Sequence, residues 1–387
     1  MGGKYVRLST ALKLLPITML AALAAGSPAM ATGDSNRPKP KPLELQDEGS
    51  FFVNGEIINT DYASGGATRT PGRITTKQMY VHYRIPMGQS KKWPVVMVHG
   101  AGHTGMTFET TPDGREGWAT YFVRQGHPVY VIDAVGRGRS GFSPVPINQG
   151  KVENNSSLIP SISAVTIESA WATFRFGPQP DVFWPDSQFP TQAVAQYFQQ
   201  LVPLAEGTVA GGGANTSTAL GLLLDKIGPS IILAHSLGST YGRAVQQQRP
   251  GKVKAFIDVE GRQACAPVPT ADEISTSFKP VPFLFVAGDH DYTGEADCRA
   301  LVDTINAARG NAKYVELPEI GIRGNDHMMM MDKNNLKVAD VILKWIDRNV
   351  KNKGGRDGDD HDHDDDHGHG HGHDRDHDDR DRDGGRH

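Results

Sequence analysis

Ser230-Ile231-Ile232-Leu233-Ala234-His235-Ser236-Leu237-Gly238-Ser239-Thr240 is the stretch whose reading decides the fold. The apolar run Ile231–Ala234 reads as a strand buried on both faces, and a helix starts within a few residues of its end. Ser236 stands at the apex of the turn between them, and Gly238 lets the returning helix come close to the strand. Such a turn lifts a serine hydroxyl clear of the sheet and aims the N–H of Leu237 at the same point. Ala234 stands where the common form of this motif has glycine, and it is nearly as small. Short strings of this kind also arise by chance, so the reading of Ser236 as a nucleophile depends on what else the chain supplies.

Working outward, strands and helices alternate. Strand-like runs at Phe51–Glu56 and Gln78–Ile85 show the partial alternation of an outer antiparallel pair, and Pro94–His99 carries the continuously apolar Val95-Val96-Met97-Val98. A helix at Gly117–Gln125 and a strand at Pro128–Asp133 follow, then the Ser236 strand and a helix over Thr240–Gln248. Strands at Ala255–Val259, Pro282–Ala287 and Lys313–Leu317, with helices at Glu295–Ala308 and Asn335–Asn349, complete the pattern. The predicted fold class is α/β, a mostly parallel sheet flanked by helices, and the folded domain is residues 49–350. From 137 to 216 the alternation breaks. That stretch is rich in Pro, Asn, Ser and Gly, yet it carries Trp171, Phe174, Phe176, Phe183, Trp184, Phe189, Tyr197 and Phe198, and it reads as a lid over the site.

The two ends differ from this body. Lys4, Arg7 and Lys13 precede the apolar stretch Leu14–Ala25, and Ala29 and Ala31 supply small residues, so 1–31 reads as a signal peptide cleaved after Ala31. The apolar run is too short for a spanning helix, and no membrane partner is expected. Residues 32–48 read as a disordered leader. Export to the periplasm or beyond makes Cys265 and Cys298 a disulfide, a plain staple rather than a redox pair. The tail, 351–387, carries seven Lys and Arg against thirteen Asp and eight of the fifteen histidines, with no apolar residue after Val350. It reads as disordered, and His361, His363, His367, His369, His371 and His373 suit weak binding of a divalent transition metal. No basic stripe with interleaved aromatics appears, so nucleic acid is not an expected partner.

A serine nucleophile needs a base, an orienting acid and donors for the oxyanion. Only two histidines stand between Ser236 and the tail, His290 and His327. His327 lies in the loop after the last strand, just before the closing helix, where the base belongs. For the acid, Glu260, Asp289 and Asp291 all end strands beside the serine. The loop His99-Gly100-Ala101-Gly102-His103-Thr104-Gly105 offers Ala101 or Gly102 as a second backbone donor beside Leu237. Asp133 opens the turn Asp133-Ala134-Val135-Gly136-Arg137-Gly138-Arg139-Ser140 and reads as structural. The methionine run 328–331 reads as pocket wall and core.

With these parts in this order, the chain between about Ser50 and Val350 resembles the α/β-hydrolases. More narrowly, Gly49–Glu56, His99–Gly105, Ala234–Ser239, Ile257-Asp258-Val259-Glu260-Gly261 and His327–Leu336 are similar to a small group of exported bacterial esterases. The resemblance implies Ser236 as nucleophile, Glu260 as acid and His327 as base. The chain departs from it at Ala101-Gly102, where a family member has adjacent cysteines; backbone donors survive that change. The expectation is an exported serine esterase needing no cofactor and acting on a small-molecule or polymeric ester. A reading from another class is an inactive hydrolase scaffold that presents a metal-binding tail.

Overall fold

The computed structural model describes residues 42–353 apart from Ala67, Gln89 and Asp291. The stretch read as a signal peptide, most of that read as a leader and the histidine-rich tail from Gly354 lie outside the described residues. Eight strands form one sheet: β1 (Leu45–Thr60), β2 (Gly72–Pro86), β3 (Val95–Val98), β4 (Val129–Asp133), β5 (Ser230–His235), β6 (Val253–Val259), β7 (Phe283–Ala287) and β8 (Ala312–Glu316). Their order across the sheet is β1-β2-β4-β3-β5-β6-β7-β8. The pairs β1/β2 and β2/β4 are antiparallel and all others parallel.

The outer pair is longer than its alternation predicts, and it corrects the leader boundary. Leu45 pairs with Pro86 and Glu48 with Arg84, so strand begins inside the stretch read as leader. The Arg84 guanidinium donates to Glu48 at 2.8 Å across that register, a cross-strand charge pair that a scan for apolar alternation does not register.

In the central strands successive side chains face opposite layers. Ile231 and Leu233 of β5 join a core with α1 (Trp118–Arg124) and the closing helix, while Ile232 and Ala234 join the core on the other face. That second face is covered by a helix the sequence reading did not place. Over Ala214–Ile227, Ala219, Leu220, Leu223 and Leu224 make a buried stripe at helical spacing.

Residues 137–213, most of the stretch read as a lid, form a packed segment that we call the cap. It holds three short helices, α2 (Val145–Val152), α3 (Ile167–Thr173) and α4 (Val194–Phe198), followed by α5 (Ala214–Ile227). Trp171, Phe176, Phe189 and Tyr197 are buried, with edge-on contacts such as Phe176 against Tyr197 at 5.2 Å. The same cluster takes in Met328–Met331, so the methionine run is core. Beyond β5 lie α6 (Gly238–Gln248), α7 (Glu295–Ala307) and α8 (Asn335–Asn349). Cys265 and Cys298 are disulfide-bonded, fastening a short turn after β6 to α7. Among the described residues no helix is long and apolar enough to cross a membrane.

Candidate active site

Ser236 caps β5 with φ at 53°, a left-handed conformation that costs an L-residue about 1–3 kcal/mol. Its N–H donates to Val259 O at 3.0 Å, and its carbonyl accepts from Ser239 N–H at 2.9 Å, so the turn is held from both sides. A Cβ on Gly238 would stand 2.6 Å from Val98 O, which is why α6 needs glycine there. Gly100 is under the same constraint, since its Cβ would lie 2.9 Å from Ser236 Cβ. The loop after β3 is thereby pressed against the serine.

That loop is fixed peptide by peptide. Gly100 O accepts from Arg137 Nη1 at 2.7 Å and from His99 Nδ1 at 2.9 Å. In a trans peptide the N–H points opposite to the carbonyl, so the Ala101 N–H is turned away from both donors. Ala101 O accepts from His103 Nδ1 at 2.7 Å, and His103 Nε2 accepts from the Tyr197 hydroxyl of the cap at 3.0 Å. Neither the Ala101 nor the Leu237 N–H meets a backbone acceptor among the described residues, and the same is true of Gly102. Burial lowers His103 to about 3 and His99 to about 4, so both rings are neutral props. Asp133 is structural as read: it accepts from the N–H of Gly105 and Arg139 and from the Arg139 side chain.

Glu260 ends β6, the strand beside β5, with φ at 52°. Its Oε2 accepts from His327 Nδ1 at 2.5 Å and its Oε1 from Gly288 N–H at 2.7 Å. His327 is buried, 6% exposed, and its Nε2 has no hydrogen-bond partner among the described residues. The imidazole stacks on Phe174 with ring centres 5.4 Å apart and planes within 3°. The His327 backbone N–H donates to Phe174 O at 3.0 Å, and the His327 backbone carbonyl accepts from His235 Nε2 at 2.9 Å. The His235 ring, adjacent to Ser236 in the chain, lies 4.5 Å from that of His327.

Of the other candidates for the acid, Asp289 is engaged elsewhere. The Asp289 carboxylate accepts from the N–H groups of His290 and Gly324 and makes no bond to His327. Asp291 lies outside the described residues. Asp186, Asp289 and His290 bring one donor atom each within 4.8 Å of one another. His290 Nε2 lies 3.3 Å from Asp186 Oδ1, and its ring stacks on Trp184 at 4.7 Å, so the group reads as a cap-to-core contact.

Sequence reasoning missed Arg175. Its Nη1 donates to Glu260 Oε2 at 2.9 Å and its Nη2 to Oε1 at 2.5 Å. One signal was present: Arg175 is the only Lys or Arg between Lys151 and Lys226. Burial by itself would raise the Glu260 carboxyl, but the Arg175 charge and the His327 hydrogen bond outweigh it and hold it at about 2.

The sheet, the strained serine turn and the ordered acid and histidine define a hydrolase fold, and the chain belongs to the α/β-hydrolase superfamily. Its likeness to a solved bacterial esterase is extensive: 38% identity over 81% of this chain and the whole of that one, with a TM-score of 0.75. The fungal protein named "Probable secreted lipase phiG" (Fungal sp., strain ATCC 74256) is 27% identical over 329 residues, 72% of this chain and 88% of the relative. No family model matches the chain.

Proposed function

We propose that this protein is an exported serine hydrolase that cleaves carboxylic esters through an acyl-enzyme. The observation that carries the reading is the Glu260–His327 hydrogen bond beside the Ser236 turn. It fixes the imidazole proton on Nδ1 and leaves Nε2 free to accept one. His327 Nε2 takes the Ser236 hydroxyl proton as Oγ attacks the ester carbonyl, then returns it to the leaving alcohol. Water attacks the acyl-enzyme by the same route, and Glu260 stabilises the imidazolium each time it forms. The N–H of Leu237, with that of Ala101 or Gly102, receives the charge that develops on the carbonyl oxygen. The likeness to an esterase and to a secreted lipase supports the ester bond as substrate and an extracellular setting. The disulfide supports that setting as well.

Organophosphonate labelling and turnover of p-nitrophenyl esters test the reading. Wild-type protein is expected to label and turn over. Ser236→Ala is expected to do neither, with kcat down by on the order of 10⁴–10⁶ and an unchanged melting temperature. A wild-type chain that fails to label would be the inactive scaffold instead.

A further inference from the structure

We propose that Arg175, carried into the centre by the cap, is a positioning residue for the ester-cleaving reaction: its guanidinium fixes Glu260 and sets the pH at which the Glu260–His327 pair takes up a proton. The proposal rests on the reading of Glu260 and His327 given above.

The geometry leaves Glu260 one orientation. Two donors from Arg175, one from Gly288 and one from His327 occupy its two oxygens, two donors to each. A planar two-pronged donor fixes the plane of a carboxylate as well as its position. Arg175 is itself held, since its Nε donates to Asp289 O at 3.0 Å and its carbonyl accepts from Trp184 Nε1 at 3.0 Å. The backbone there is left-handed, φ 59°, at the end of α3, where Phe176 N–H reaches back to Trp171 O at 3.3 Å. Helix ends of this form ordinarily carry glycine. An arginine there accepts backbone strain that general helix termination does not require.

Charge gives the residue its second effect. His235 faces the pair from the end of β5 and His103 from the loop after β3; burial pushes both well below the ordinary histidine range. Asp326, next to His327 in its loop, is pushed up to about 8 by burial, and Asp258 of β6 is pushed well above the usual carboxylate range. Burial raises Tyr292 and Tyr314 as well, and Phe174 covers the imidazole face without charge. Near neutral pH, then, Arg175 is the one of these neighbours that stays charged. Protonating the pair places a second positive charge beside the guanidinium. Without Arg175 that protonation becomes easier, and the acid limb of kcat/KM moves to higher pH.

The test compares Arg175→Gly, Arg175→Lys and Glu260→Gln in the full chain, with kcat and KM for a p-nitrophenyl ester followed across pH. Glycine suits the turn, so Arg175→Gly removes the guanidinium without asking the backbone to change. The expected result is a folded Arg175→Gly protein with kcat at least about tenfold lower, KM little changed, and an acid limb raised by about 1–2 pH units. Arg175→Lys keeps the charge, so its limb stays in place while kcat falls. If Arg175→Gly does not fold, Arg175→Gln is read by the same two quantities. A folded, uncharged variant with wild-type kcat and limb, beside a crippled Glu260→Gln, overturns the role of Arg175 and leaves the triad standing. Wild-type kcat in Glu260→Gln overturns both.

Discussion

Ser236 and Glu260 share one backbone device at neighbouring strand ends. Each is a non-glycine residue in the left-handed region, and each donates its N–H to the next strand over, Ser236 to Val259 O and Glu260 to Val286 O, both at 3.0 Å. The sheet register thus sets the distance between the proposed nucleophile and the proposed acid, and the strain is carried by two ladder hydrogen bonds rather than by loops. Glutamate suits this place because the imidazole must be reached from the adjacent strand. A shorter carboxylate at the end of β7, Asp289, is already filled by two backbone donors. At this scale Glu260→Gln is expected to lower kcat by up to about 10⁴, since an amide no longer holds the required imidazole tautomer. Asp289→Asn is expected to lose only several-fold, mainly through loosening of the Gly324 turn. Steady-state kinetics on the two variants, with thermal melts as control, checks the ranking.

At the scale of elements, legibility follows periodicity. The parallel strands and α8 could be read because they are continuously apolar or follow a helical stripe, and their placed ends agree within one or two residues. The cap could not be read in this way, because α2, α3 and α4 have eight, seven and five residues, too short for a repeating stripe. Its aromatics advertised burial but not what they cover. Ser236 and His327 were singled out from motif and position, and the structure places one at the end of β5 and the other in the loop before α8. Arg175 and Phe174 act across the fold on residues 85 positions away and beyond, which no local pattern encodes. The disulfide was legible from the expected export and the cysteine count. It spans 33 residues, for which chain entropy gives about 3.7 kcal/mol. Replacing both cysteines by serine is expected to lower the melting temperature by on the order of 10 °C, with kcat retained, as calorimetry and ester turnover would show.

The molecule as a whole is a compact hydrolase body between two ends of quite different composition. The terminal thirty-four residues, Gly354–His387, contain eight histidines and no apolar side chain, and they are not needed to complete the sheet or the site described here. Deleting them is expected to leave ester hydrolysis unchanged and to abolish binding of Zn²⁺ or Ni²⁺, which should weaken below about pH 6.5 as imidazoles protonate. Titration calorimetry on the two chains checks both halves; equal metal uptake by the shorter one would count against the tail.

The stacking of His327 on Phe174, and the bond from the His327 backbone N–H to Phe174 O, tie the proposed base to the cap. Swinging that cap away would take Phe174 off the imidazole and break its bond to the His327 backbone, so the arrangement favours a cap that stays in place during turnover. An enzyme built so is expected to have no dormant form to be awakened by an oil droplet. Its rate on a short-chain triglyceride is expected to follow one smooth saturation curve as the emulsion forms, without a burst at the solubility limit and without a lag after mixing. A sharp rise at that limit would mean that the cap carries its half of the centre with it when it moves.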